Sequence, residues 1–287
     1  MSFQPDFRTA KSLSIVEEII EIIADETDDA RQSAAFVKWL AFQKQFWKYS
    51  WNNVLLIAFQ AKQYGFEVTK VAGATKWRDM GRKPTSEAWK ERLWILAPVI
   101  RKIEDQTTGK EKSVLIGFTS AYVFDVSQTE GEELPSLEYR HTGDDEGLCD
   151  ALEVEYDRRQ IDLDYISEAE MIEEFGSACK GVSMGDKVRI LDTLTGAECA
   201  ATLAHELAHS ILHFGPGNRL DFEHSRSTAE IEAESIAACV LGAWGLEYKA
   251  SAMYLAGWGG DAVKVRESMN RIAHTSKSIL SNILPAS

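Results

Sequence analysis

The order of apolar and polar positions divides the chain into a helical beginning, a β-rich middle and a helical end. Leu13, Val16, Ile19, Ile20 and Ile23 recur at the spacing of one helix face and predict an amphipathic helix over 12–30. Apolar positions 36, 39, 40, 42 and 46 predict a second helix over 34–46, and a third runs from Trp51 to Tyr64, where Gly65 stops it. The period then shortens. Arg92 to Ile103 and Ser113 to Val126 are β-branched and aromatic and flank a turn-rich stretch, which predicts an antiparallel hairpin with Pro98 favouring an edge or bulge. Residues 127–150 are acidic, polar and punctuated by Gly and Pro, the composition of a linker. Beyond them Val188 to Leu191 reads as a short strand, and Ala197–Phe214, Thr228–Leu241 and Val263–Leu284 as helices. The pattern predicts an α+β fold in two domains: a mixed unit over 1–135, an acidic linker over 136–150 and a mostly helical unit over 151–287.

Composition supports folding. Hydrophobic residues are 45% and charged residues 26%, so low hydrophobicity gives no ground for wholesale disorder. The longest apolar run near the end, Ile236 to Leu246, is far short of the ~18 residues a bilayer span needs, and Met1 to Ser12 lacks the apolar stretch of a secretory signal. A cytoplasmic compartment and no membrane partner are expected. Four cysteines without a CxxC pair predict reduced thiols and no cysteine zinc site.

Charge is uneven along the chain. Lys plus Arg number 31 against 45 Asp plus Glu, a net of -14 that repels nucleic acid. Between Lys38 and Lys102 the balance reverses to 13 cations against four acids, and the same stretch holds Trp39, Trp47, Trp51, Trp77, Trp89 and Trp94. Cations that track phosphates, interleaved with rings that stack bases, are what a single-strand binder needs. This reading selects Lys48, Trp51, Asn53, Lys76, Trp77, Arg78, Arg82 and Lys83 as DNA contacts, with single-stranded DNA as partner and duplex DNA as the alternative. The competing reading is a solvated basic face over an aromatic core.

The sharpest chemical signal is His205-Glu206-Leu207-Ala208-His209, an HExxH inside an apolar helix. Side chains at i and i+4 share a helix face, so both imidazoles can address one ion, with Glu206 beside it as general base. A catalytic zinc takes three protein ligands and a water. His213 lies about 12 Å from His205 along the axis at ~1.5 Å per residue, too far to be the third. In the following helix Glu230 and Glu234 share a face and Glu232 is turned away, so Glu230 is taken as the ligand and Glu234 as the partner that orients a ligand histidine. Zinc in such a site activates water and polarises a carbonyl, which makes amide hydrolysis of a protein substrate the expected reaction. His224, Tyr248 and Tyr254 are candidate oxyanion donors, and the strand at 188–191 a candidate edge for pairing an extended substrate.

His205-Glu-Leu-Ala-His209 followed by Glu230-Ile-Glu-Ala-Glu234 resembles the ImmA/IrrE-type zinc metallopeptidases, which implies one Zn2+ per chain held by His205, His209 and Glu230. Four upstream segments resemble the single-stranded-DNA-binding domain of ArdC-like antirestriction proteins: Tyr49–Ile57, Val71–Trp77, Ile95–Val99 and Tyr122–Thr129. Tyr254–Asp261 is similar to that family too. Lys83–Arg92 departs from the family's Gly- and Lys-rich loop and adds Glu87 and Glu91. The resemblance implies a DNA-binding domain followed by a gluzincin-like zinc metalloendopeptidase. The alternative is a non-proteolytic protein that shields single-stranded DNA, its zinc structural. The plainest alternative is a metal-stabilised fold with neither activity.

Overall fold

The structure is a computed structural model that describes residues 6–28, 34–104, 111–132, 144–214, 226–246 and 261–284. Helix α1 (Phe7–Asp28) turns Val16, Ile20 and Ile23 inward, as the spacing of those residues requires. Helices α2 (Ala34–Gln45) and α3 (Trp51–Tyr64) follow, and Gly65 ends α3 with φ of 78°, a conformation that costs glycine nothing. A short strand β1 (Val71–Ala72), helix α4 (Ala74–Asp79) and strand β2 (Arg82–Pro84) lead into the predicted hairpin, β3 (Leu93–Glu104) and β4 (Glu111–Asp125). The two strands pair antiparallel from Leu93 opposite Val123 to Glu104 opposite Glu111, with an irregularity between Val99 and Ile100, beside Pro98.

The first sheet runs β1-β4-β3, so β3 is an edge, and α3 covers it. Asn53 Nδ2 donates to Leu96 O at 2.9 Å while Leu96 N donates to Asn53 Oδ1 at 2.8 Å. About two helical turns on, Gln60 Nε2 donates to Trp94 O at 2.8 Å and its Oε1 accepts from Trp94 N at 2.9 Å. Two carboxamides thus stand in for a neighbouring strand and satisfy backbone groups that an open edge would leave as a template for aggregation. Trp77 is fully buried with Ala88 and Phe124, and its Nε1 donates to Phe124 O at 2.9 Å.

Part of the stretch read as linker is structured: residues 126–128 form one 3-10 turn and β5 (Thr129–Gly131) pairs antiparallel with β2. Residues 133–143, the heart of the expected linker, lie outside the described residues. Helix α5 (Leu148–Arg158), strand β6 (Asp162–Ile166), helix α6 (Glu168–Phe175), strand β7 (Gly181–Ser183) and strand β8 (Lys187–Leu191) come next, then helices α7 (Gly196–Leu212), α8 (Arg226–Trp244) and α9 (Ala262–Ile283). The second sheet runs β6-β8-β7, parallel between β6 and β8 and antiparallel between β8 and β7. Val188 and Ile190 are fully buried because β8 is the central strand. That corrects the expectation for 188–191: the strand is interior, and the outer strands are β6 and β7.

The chain divides into two compact units, Met1–Glu21 with Trp51–Ser136, and Ile22–Ser50 with Leu137–Ser287. Residues 22–50 therefore group with the later part of the chain, not with the hairpin as a boundary at 135 implies. The physical reason is packing: α2 lies along α8, where Gly242 lets the stem of Lys44 approach so closely that an added Cβ would stand 3.0 Å from its Cδ. The later unit also carries a three-stranded sheet besides the helices foreseen for it. Among the described residues no helix is long and apolar enough to cross a membrane.

Candidate metal centre

Helix α7 owes its place to one strongly apolar face. Ala200, Leu203, Ala204, Leu207 and Ala208 are fully buried, and each of the two leucines contributes about 1.5–3 kcal/mol from burial. Tyr156 of α5, itself fully buried, donates its hydroxyl to Leu203 O at 2.8 Å, two residues before the first histidine of the motif. Against α7 lies α8, whose Ala233, Ala237 and Ala238 are fully buried and small enough for close approach.

This packing brings His205, His209 and Glu230 together, with one ligand atom from each lying within 4.8 Å of the others. His205 Nε2 stands 3.0 Å from His209 Nε2, Glu230 Oε2 is 3.4 Å from His205 Nε2, and the same oxygen is 3.7 Å from His209 Nε2. Two imidazole nitrogens and one carboxylate oxygen, converging from two helices, are a donor set that fits a divalent cation of the zinc type. Glu234 Oε2 meets the far side of the His205 ring, 3.4 Å from Nδ1.

Electrostatics sort the four groups. Burial pulls His205 down, but the carboxylates of Glu230 and Glu234 outweigh it and push the imidazole up to about 9. Burial dominates at His209 and holds it below the usual value. A 3.0 Å gap between two ring nitrogens accommodates a single proton, and these shifts place it on His205. The neighbouring imidazoles, His205 first and then His209, hold Glu230 well below the usual carboxylate range. Burial pushes Glu206, 8% exposed, up to about 7, with the charge on His205 opposing the rise.

Strand β7 closes over Glu206. The backbone N–H of Ser183 donates to its carboxylate, and Gly181 lies so near that an added Cβ would sit 2.7 Å from Glu206 Cγ and 2.8 Å from Thr202 Cγ2. Ser183 Oγ is 2.7 Å from Ser210 Oγ, a second tie between strand and helix. The sequence did not single out Gly181, because a glycine in a short polar stretch looks like an ordinary turn residue.

Two residues set aside on sequence grounds belong to the same constellation. His213 is not among the three groups that converge, yet its Nδ1 lies 2.9 Å from His209 Nδ1. Glu232 is turned away from the ligands as expected but is not solvated. It is 1% exposed, 3.2 Å from His213 Nε2, and bound by Arg271 and Ser268 of α9. The i+4 step from His209 to His213 was the one available signal. His224, Tyr248 and Tyr254 lie outside the described residues, as do 254–260 of the family-like segment.

The expected DNA contacts divide. Trp51, Asn53 and Trp77 are 7%, 7% and 0% exposed, so they are core residues and not stacking platforms. For the two tryptophans the aromatic-core reading prevails, since a buried ring has no face left for a base, and the Asn53 carboxamide is taken up by Leu96. Lys76, Arg78 and Lys83 are exposed, and Lys83 pairs with Glu130 at 3.2 Å. Arg82 braces β2 against β5, its Nε donating to Thr129 Oγ1 at 2.8 Å and its Nη2 to Thr129 O at 2.9 Å. Arg78, Arg82 and Lys83 line one open concavity with Gly81, Glu130 and Gly131. Lys48 is exposed but belongs to the other unit.

A different aromatic group is at the surface. Trp89 and Tyr122 are 39% and 40% exposed, their centroids 5.4 Å apart, and Tyr122 meets its cross-strand partner Trp94 at 5.7 Å. The Arg92 and Arg8 guanidiniums lie 4.7 and 4.4 Å from the Trp94 centroid.

An α+β protein with an HExxH helix facing a glutamate-bearing helix is the class these observations define. Comparison with solved structures gives the crystal structure of the metal-free antirestriction protein ArdC from plasmid R388, with TM-score 0.53 and 19% identity over 93% of this chain and 96% of that one. The Mn(II)-bound structure of the same protein matches with TM-score 0.44 and 18% identity over 83% and 90%. At such identity the first likeness shows an ArdC-like fold and no more. No family model and no curated protein matches the sequence.

Proposed function

We propose that the chain is a DNA-binding, zinc-dependent metallopeptidase of the ArdC-like antirestriction type, acting on a protein substrate. The observation that carries this reading is the convergence of His205, His209 and Glu230 with a buried Glu206 next to them in the motif. Zinc bound there would supply Lewis acidity and an activated water. The residues do the rest. His205 and His209 offer Nε2, Glu230 offers a carboxylate oxygen, and Glu234 orients the first ring. Glu206, poised at about 7, is suited both to take a proton and to return it to a leaving amine. DNA binding rests on the exposed cations Lys76, Arg78 and Lys83 and on the Trp89–Tyr122 surface, in place of the buried tryptophans.

That exposed aromatic surface also favours the second reading, in which the protein shields single-stranded DNA and the metal is structural. Elemental analysis of wild type beside His205→Ala and Glu230→Ala tests the centre: about one zinc per chain, lost in both variants, is expected. Glu206→Gln then separates the readings, since it keeps every ligand and removes the base. Loss of DNA protection in vivo supports peptidase action, and full protection with zinc retained assigns the function to shielding.

A further inference from the structure

Behind His209 runs a line of buried polar groups that the proposed reaction does not use. His209 Nδ1 is 2.9 Å from His213 Nδ1, His213 Nε2 is 3.2 Å from Glu232 Oε2, and Glu232 Oε1 accepts from Arg271 Nε at 3.0 Å, Arg271 Nη2 at 2.7 Å and Ser268 Oγ. His213 is 5% exposed, Glu232 1% and Ser268 0%. The line joins three helices, α7, α8 and α9, over the side of His209 opposite Glu230.

Each contact has a direction. A carboxylate clamped by a guanidinium can only accept, so a His213 ring that carries one proton holds it on Nε2 and leaves Nδ1 as a lone pair. That lone pair can only accept, so His209 carries its own proton on Nδ1. The Nε2 of His209 is then a lone pair aimed at His205 Nε2 and Glu230, where a cation would be held. We infer that His213 and Glu232 are positioning residues that transmit the fixed polarity of the Arg271–Glu232 pair through two imidazoles and set His209 in its metal-ligating tautomer. The inference deepens the metal-centre reading and rests on it. His205 is set directly by Glu234, whereas His209 is set at one remove, which accounts for an apolar helix that retains a third histidine at its end.

Glu232→Gln is the test. Arg271 and Ser268 would hold the amide oxygen of Gln, leaving its NH2 to face His213. The line would then reverse: His213 would accept at Nε2 and donate from Nδ1, and His209 would be driven to carry its proton on Nε2. His213→Gln has the opposite design, because its amide can accept from His209 and donate to Glu232 in the original direction. Zinc affinity by chelator competition is expected to fall about ten- to a hundredfold in Glu232→Gln and to change far less in His213→Gln. Histidine 15N shifts of the metal-free protein, read without any activity, are expected to show the Nδ1–H form of His209 in wild type and its loss in Glu232→Gln. Wild type with His209 in the Nε2–H form overturns the inference without need of a variant. Equal zinc affinity in wild type and Glu232→Gln overturns it while leaving the centre standing. Failure of wild type to bind zinc overturns the metal-centre reading itself, and the inference with it.

Discussion

At the scale of single residues, the centre is organised by where its protons sit. His205 holds a proton up to about 9 because two carboxylates face it, and a cation must displace that proton to reach Nε2. Apparent zinc affinity should therefore rise about tenfold per pH unit between pH ~7 and ~9 and level off above. Below pH ~7 the rise should be steeper, because Glu206 is then protonated and a bound cation drives its proton off as well. Chelator competition at spaced pH values measures the curve, and a pH-independent affinity would remove His205 from the ligand set. Much of this centre was legible. The i, i+4 step of His205 and His209 and the Glu230/Glu234 face needed only helical geometry, and the structure brings all four together. Glu232 was not legible, because its position on α8 shows only that it points away from Glu230. That it points into a buried slot formed with the end of α7 and with α9 depends on a third helix that periodicity cannot place.

At the scale of elements, the long amphipathic helices and the hairpin follow from their periods. The apolar stripes of α3 and α7 and the β-branched runs of β3 and β4 each need one particular partner surface. Strand β7 escaped notice because three residues carry no period, and β8 was read as an edge because a single strand says nothing of its neighbours. Yet β7 is the element that presses on Glu206. Gly181→Ala should push Glu206 or the strand aside, since the side chains of Glu206 and Thr202 both stand within 3.0 Å of the new methyl. The expected cost is about 1–3 kcal/mol of stability, with β7 amides showing faster hydrogen exchange. Unchanged stability and exchange would mean that β7 is not held against the helix. The tryptophans mislead for a related reason: a ring that stacks on bases and a ring that fills a core have the same sequence spacing. Trp77→Ala should lower stability by about 3–5 kcal/mol, because it removes a fully buried ring and leaves Phe124 O without its donor. Thermal unfolding decides this before any DNA is added.

At the scale of the whole molecule, the net charge of -14 sets a problem for a protein proposed to approach DNA. A uniform acidic surface would be repelled, so any binding must be local. The basic stretch from Lys38 to Lys102 is shared between the two units, with Lys38, Lys44 and Lys48 in the one and the rest in the other. The hairpin unit carries, among other cations, an exposed set near the β2–β5 pair and the Trp89–Tyr122–Trp94 group with its two arginines. These two features leave different thermodynamic signatures. Cations act by releasing counterions, so single-strand affinity should fall with log salt at a slope of about -0.7 per phosphate neutralised, and Lys76→Ala or Arg78→Ala should flatten that slope. Exposed rings act by stacking, so Trp89→Ala and Tyr122→Ala should each weaken binding by about 1–3 kcal/mol with the slope unchanged. Fluorescence anisotropy with a labelled oligonucleotide at several salt concentrations separates the two, and the same titration with a duplex shows whether stacking selects single strands. A salt-independent affinity that ignores all four substitutions would exclude this face of the hairpin unit as the DNA-binding surface.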